Sequence, residues 1–154
     1  MSSTSKKVIF VIGIPCSGKS SYIKNNFPDA TAIDLYDYQA NIQTIEDVWK
    51  SYEAVKDEII KRLESEDEVI CEHTLLKAER REYYLHALKE TYPGINFEII
   101  LCQPDIDTYK RNHVARHGEP ATDDFIDNRY NGFLEVLEEP IETEGFSKVS
   151  VCKS

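Results

Sequence analysis

The residues Gly13-Ile14-Pro15-Cys16-Ser17-Gly18-Lys19-Ser20 place glycine, lysine and serine at the spacing G-x-x-x-x-G-K-[ST]. That spacing suits a loop that wraps phosphate. Gly13 and Gly18 let the backbone curl until successive N–H groups converge on phosphate oxygens. Lys19 is expected to reach the β- and γ-phosphates, and the Ser20 hydroxyl to ligate Mg²⁺. Pro15, Cys16, Ser17 and Ser21 complete the expected contacts to a nucleoside triphosphate. The flanks agree with this chemistry. Lys7–Ile12 is apolar and β-branched like a buried strand, and Ser20 to Phe27 can continue as a helix until Pro28 stops it.

Phosphoryl transfer also needs a positioned acceptor, neutralisation of charge and a carboxylate to take the acceptor's proton. Asp34 ends the second apolar run and is the expected base, with Asp37 the competitor and a turn cap the alternative role. Glu72 closes Val69-Ile70-Cys71, the layout of an acidic residue that holds hydrated Mg²⁺. His73 beside it is expected to be a structural histidine with satisfied hydrogen bonds. Arg111 and Arg116 lie in Lys110–His117, a basic stretch of an acidic chain, where a lid can bring guanidinium groups over the transferring phosphoryl group. His113 and His117 share a helix face at i, i+4, but no third zinc ligand accompanies them.

These groups need a scaffold. Apolar runs at Lys7–Ile12, Ala30–Asp34, Glu68–Glu72, Asn96–Cys102 and Lys148–Cys152 alternate with helical stretches, the pattern of a covered parallel sheet. A helix is expected from Thr44, with Asp47 as partner in a capping box. Its Ile45, Val48, Tyr52, Val55, Ile59 and Leu63 form one apolar face. Further helices are expected over Lys77–Thr91, after an Asp105 cap, and over Asp123–Leu137, the last two separated by Gly118 and Pro120. Ligands of such sheets bind beyond the carboxyl ends of the strands, which groups Gly13, Asp34 and Glu72 around one nucleotide.

The chain has 154 residues, enough for one domain with a single sheet. The expected division is a flexible segment over 1–6 and a domain over 7–154 with its lid around 110–120. Eighteen basic and 28 acidic residues give a formal charge of −10, which repels nucleic acid except at a local basic patch. The four cysteines form no C-x-x-C pair and no stretch approaches membrane-spanning length, so the chain reads as soluble and cytoplasmic, with no membrane partner.

The loop Gly13–Ser20, the segment Val69–Arg81, the triplet Lys110-Arg111-Asn112, the Pro120…Asp124 helix start and the tail Glu139-Pro140…Glu144-Gly145-Phe146 resemble the P-loop polynucleotide 5′-hydroxyl kinases of bacteriophage type. They also resemble the small AAA-domain and zeta-toxin-like relatives of those enzymes. The resemblance implies an α/β P-loop kinase domain of about five parallel strands with helices on both faces. It implies transfer of the ATP γ-phosphate to a hydroxyl, with Asp34 as the activating carboxylate and Arg111 and Arg116 as lid arginines. A nucleic-acid 5′-hydroxyl is the first acceptor it suggests. A nucleoside, nucleotide or other small metabolite is the second, and a non-transferring ATP-binding switch is a third reading. In Leu35-Tyr36-Asp37-Tyr38-Gln39 the family's acceptor-phosphate arginine has no match. Gln39 offers no guanidinium fork for a polynucleotide phosphate.

Overall fold

The structure is a computed structural model that describes residues 5–118 and 122–153. Most of the expected leading segment, Pro120 and Ser154 fall outside them.

Five parallel strands, β1 (Lys7–Ile12), β2 (Ile33–Asp34), β3 (Glu68–His73), β4 (Asn96–Gln103) and β5 (Lys148–Lys153), form one sheet in the order β2-β3-β1-β4-β5. Five α-helices lie among the described residues: α1 (Lys19–Asn26), α2 (Ile45–Leu63), α3 (Ala78–Thr91), α4 (Ile106–His117) and α5 (Asp123–Val136). The expected α/β class and the covering of both sheet faces are found. Alternation along β1 decides which helix goes where. Val8, Phe10 and Ile12 face Tyr52, Val55, Ile59 and Leu63 of α2 and Tyr84, Leu85 and Leu88 of α3. Ile9 and Val11 face Ile23 of α1 on the other side. A third cluster, Ile14, Tyr109 and Ile126, fastens the loop after β1 to α4 and α5.

Local chemistry sets the helix starts. Thr44 Oγ1 accepts from the Asp47 N–H at 3.1 Å and Asp47 Oδ2 accepts from the Thr44 N–H at 3.2 Å, the expected capping box. Asp105 caps α4 by accepting from the Thr108 N–H at 2.8 Å. Two expectations are corrected. The second strand is Ile33–Asp34 rather than Ala30–Asp34: only these two residues pair with β3, and the Thr31 carbonyl accepts from Arg62 instead. Ile45 does not belong to the apolar face of α2, being 60% exposed in the first turn before the helix reaches the sheet. A further difference is a short 3-10 helix, Leu35–Tyr38, which follows β2 directly because Asp34 Oδ1 accepts from the Tyr36 N–H at 3.0 Å.

The pair Arg81–Glu144 joins α3 to the segment before β5. Arg81 is 1% exposed and donates from Nε and Nη2 to Glu144 at 2.8 and 3.2 Å, and from Nη1 to the Leu75 carbonyl at 2.8 Å. It thereby holds the turn after β3, where Leu75 has the unusual φ of +40° for a branched side chain.

Candidate nucleotide and acceptor site

The carboxyl ends of β1, β2 and β3 open into a cleft of about 470 Å³. Pro15, Cys16, Ser17, Gly18, Lys19, Ser20 and Ser21 line one side, Asp34, Leu35, Tyr36 and Gln39 another, and Glu72, His73 and Thr74 the floor. Asn112, Ala115 and Arg116 of α4 complete the wall. Seven of the eight residues expected to touch the nucleotide therefore face the cleft, with both expected carboxylates.

Gly13, the eighth, lies beneath the loop. A Cβ there would stand 2.6 Å from the Cys102 carbonyl oxygen and 2.8 Å from Ser17 Oγ, and its φ is +152°. Only glycine lets the chain leave β1 this close to the end of β4. Gly18, at φ +90°, turns the loop into α1. Cys16 has φ +64°, and its carbonyl accepts from Asn112 Nδ2 at 2.9 Å, so α4 holds the loop's crest. Ser17 Oγ is buried and has no hydrogen-bond partner, an arrangement suited to a loop whose donors serve a bound anion.

Lys19 Nζ donates to the carbonyls of Gly13 at 2.9 Å and Ile14 at 3.1 Å. Burial depresses its pKa, and the nearby Glu72 and Asp34 carboxylates oppose that shift. Ser20 Oγ donates to Glu72 Oε1 at 2.8 Å. Burial raises the Glu72 pKa, the Ser20 hydroxyl draws it back, and Asp34 raises it again. Asp34 and Glu72 are register partners on β2 and β3, so their side chains leave the sheet side by side.

Ser20 and Glu72 suit a magnesium ion. Ligands about 2.0–2.1 Å from an octahedral ion stand about 2.9 Å apart on neighbouring vertices, close to the observed 2.8 Å separation of the two oxygens. No cluster of three or more His, Cys, Asp or Glu ligands occurs among the described residues. Magnesium needs none, because it keeps waters and shares phosphate oxygens.

Arg116 and Arg111 are placed differently. The Arg116 guanidinium lies 5.6 Å from the Tyr36 ring centroid, bridging the cleft from α4 to the 3-10 helix. Arg111, about 140° away around the helix, is exposed and donates to Thr108 Oγ1 at 3.1 Å. It does not line the cleft. Asp37 is exposed and also lies outside the cleft wall. Asn112 is a cleft residue that the sequence reading misses; the available signal is its i, i+4 spacing from Arg116, which puts both on one face. His73 is buried and accepts the Thr74 N–H at Nδ1 (2.9 Å), which leaves its proton on Nε2 facing Tyr84 Oη at 2.9 Å. Burial holds it neutral, the structural role expected of it. His113 and His117 do share a face, their ring centroids 4.5 Å apart.

A family model described as an AAA domain matches residues 8–140. The chain belongs to this family of P-loop kinase-like domains. No curated protein sequence matches it. Among solved structures it is similar to a gluconokinase from Sinorhizobium meliloti 1021, with 19% identity and TM-score 0.63 over 96% of this chain and 82% of that one. A putative kinase from Chloroflexus aurantiacus aligns at 11% identity and TM-score 0.70 over 99% of this chain and 87% of that one. A chain of the Pnkp1/Rnl/Hen1 RNA repair complex aligns at 12% identity and TM-score 0.63, over 86% of this chain and 45% of that one. At these identities the likeness is one of fold, and the fold implies nucleotide binding. No helix among the described residues is long and apolar enough to cross a membrane.

Proposed function

We propose that this chain is an ATP-dependent phosphotransferase that moves the γ-phosphate to a hydroxyl of a small polar acceptor. The observation that carries this reading is the pairing of Asp34 with Glu72 on adjacent strand ends, so that an acceptor-side carboxylate and the Ser20–Glu72 pair open into one cleft beside Lys19.

Each side chain then has a task. The loop amides and Lys19 hold the triphosphate, Lys19 exchanging its two carbonyl partners for phosphate oxygens. Ser20 and Glu72 would hold the ion, which when bound would supply charge neutralisation for the triphosphate. Asp34 uses Oδ1 in the 3-10 cap and keeps its second oxygen to accept the acceptor's hydroxyl proton. Arg116, at the cleft rim, meets the charge that spreads over the transferring group. Arg111 stands outside the cleft wall and supports the same helix.

The cleft's charge favours a small acceptor. Its two cations, Lys19 and Arg116, are matched by Asp34 and Glu72. Among the described residues no further Lys or Arg lines it to meet a polynucleotide backbone, and the chain's formal charge is −10. The second reading, a nucleic-acid 5′-hydroxyl acceptor, is favoured by the likeness to the RNA repair complex and by exposed Tyr36, on which a base can stack. Four free cysteines accord with the cytoplasmic placement we propose.

The test is transfer of labelled γ-phosphate from Mg-ATP to 5′-hydroxyl DNA and RNA oligonucleotides and to a panel of nucleosides, nucleotides and small alcohols. Label on a small molecule, little changed by added salt, is expected. Salt-sensitive label on an oligonucleotide end establishes the second reading instead, and ATP turnover with no labelled acceptor overturns both.

A further inference from the structure

Cys102 and Cys152 are register partners on β4 and β5. Their side chains leave the sheet on the same face, in the cluster with Ile9, Val11 and Ile23. Both are free thiols. Cα atoms of register partners on neighbouring strands are about 4.8 Å apart, within the roughly 4.4–6.8 Å that a disulfide spans. Cys102 is 3% exposed, whereas Cys152 is half-buried on a strand whose next-door Val151 is 50% exposed. Oxidant therefore meets Cys152 first. β5 is the edge of the sheet, so it can be drawn toward β4 without breaking a second ladder.

The inner partner touches the phosphate loop. The Cys102 carbonyl is the backbone group that closes off space beside Gly13, and the Gly13 carbonyl accepts from Lys19. A local shift at Cys102 is therefore passed to the lysine that serves the triphosphate.

We propose that Cys102 and Cys152 form a reversible oxidation site, joined as a disulfide when the protein meets a peroxide, and that the cross-link weakens nucleotide binding. The Cys152 thiolate attacks a peroxide oxygen, breaking the O–O bond and giving a sulfenic acid with loss of hydroxide, which leaves as water. Cys102 sulfur then attacks the sulfenic sulfur. The S–S bond forms, the S–O bond breaks, and the departing hydroxide takes the Cys102 proton as a second water. Two thiols lose two electrons, and the peroxide is reduced. A dithiol restores both thiols by exchange. Burial, with Cys152 as neighbour, pushes the Cys102 thiol up to about 12, so the second step is the slow one.

This inference rests on the loop binding ATP and on nothing about the acceptor. The full chain is treated with hydrogen peroxide, blocked with iodoacetamide and mapped without reduction, and a fluorescent ATP analogue is titrated before and after. A linked Cys102–Cys152 peptide is expected, with affinity weakened roughly tenfold or more and recovered with dithiothreitol. Cys152→Ser, outside the nucleotide site, keeps its affinity at the same peroxide dose. Absence of the linked peptide, modification confined to Cys16 in the loop, or a linked peptide with unchanged affinity overturns the proposal. Failure of the reduced protein to bind the analogue overturns the nucleotide reading, and with it the regulatory half of this one, while the peptide map still reports on the cross-link.

Discussion

Gly13→Ala tests the packing argument most directly. The added Cβ meets the Cys102 carbonyl oxygen at 2.6 Å and Ser17 Oγ at 2.8 Å. Ser17 can rotate away, but the carbonyl belongs to the β4 backbone and is held in the sheet. An alanine also resists φ +152°. The backbone strain costs about 1–3 kcal/mol, and the displacement of β4 or the loop about 1–3 kcal/mol more. The sum is about 2–6 kcal/mol, a large share of the roughly 5–15 kcal/mol that holds a domain folded. With a urea slope of about 2 kcal/mol per molar, the unfolding midpoint falls by about 1–3 M. Trp49, the one tryptophan, packs at 5.5 Å from Tyr52 and 5.4 Å from Tyr83, so its fluorescence follows unfolding. If the loop relaxes locally instead, the midpoint moves less and ATP binding is lost. Gly94→Ala is the control: nothing stands within 4 Å of the added Cβ, and its midpoint should be unchanged or slightly raised. A Gly13→Ala protein with both its midpoint and its ATP affinity intact refutes the reasoning.

Asp34→Asn should keep ATP affinity and lower transfer roughly a hundredfold; near-normal transfer in the labelled-phosphate assay would move the base elsewhere. Glu72→Gln should abolish magnesium-dependent turnover yet gain stability relative to the parent as pH rises. The folded Glu72 pKa is raised, so the parent's stability falls as pH climbs from the unfolded carboxylate value, about 4.3, through the folded one, a loss glutamine does not share. Urea midpoints at pH 4 and pH 7 check this, and an equal difference at both would count against it. Arg81→Met strands the Glu144 carboxylate and frees the Leu75 carbonyl, so it should cost about 3–5 kcal/mol by urea unfolding; a loss below about 1 kcal/mol contradicts the buried-pair account.

What was legible in the sequence was local. The loop from Gly13 to Ser20 announces itself because each residue type answers a need within eight positions. The Thr44–Asp47 box and the Asp105 cap depend on groups three residues apart. Contacts that need distant partners were less visible. Arg81 and Glu144 lie 63 positions apart, and the Asn112–Cys16 bond spans 96. Arg81, Glu144 and Asn112 each look like surface polar residues when read alone, and the Cys16 acceptor is a backbone carbonyl. β2 looked longer because Ala30, Thr31 and Ala32 are compatible with a strand, yet pairing with β3 reaches only Ile33 and Asp34.

The register that stops at Asp34 also defines the candidate site. A carboxylate at the last paired residue of β2 caps the next turn, and that turn brings Tyr36 and Gln39 to the cleft. The same residue pairs with Glu72, whose position follows from the length of β3. Structural capping and catalysis need not compete for Asp34, since the carboxylate has two oxygens and the cap uses one. The cap fixes the orientation of the other, which is the preorganisation a base requires. Asp34→Ser separates the two roles, because serine retains capping ability but has no carboxylate. It should retain stability within about 1 kcal/mol of the parent while losing transfer as severely as Asp34→Asn. A serine variant that unfolds early would make the cap the dominant role, and one that still transfers phosphate would remove Asp34 from the chemistry.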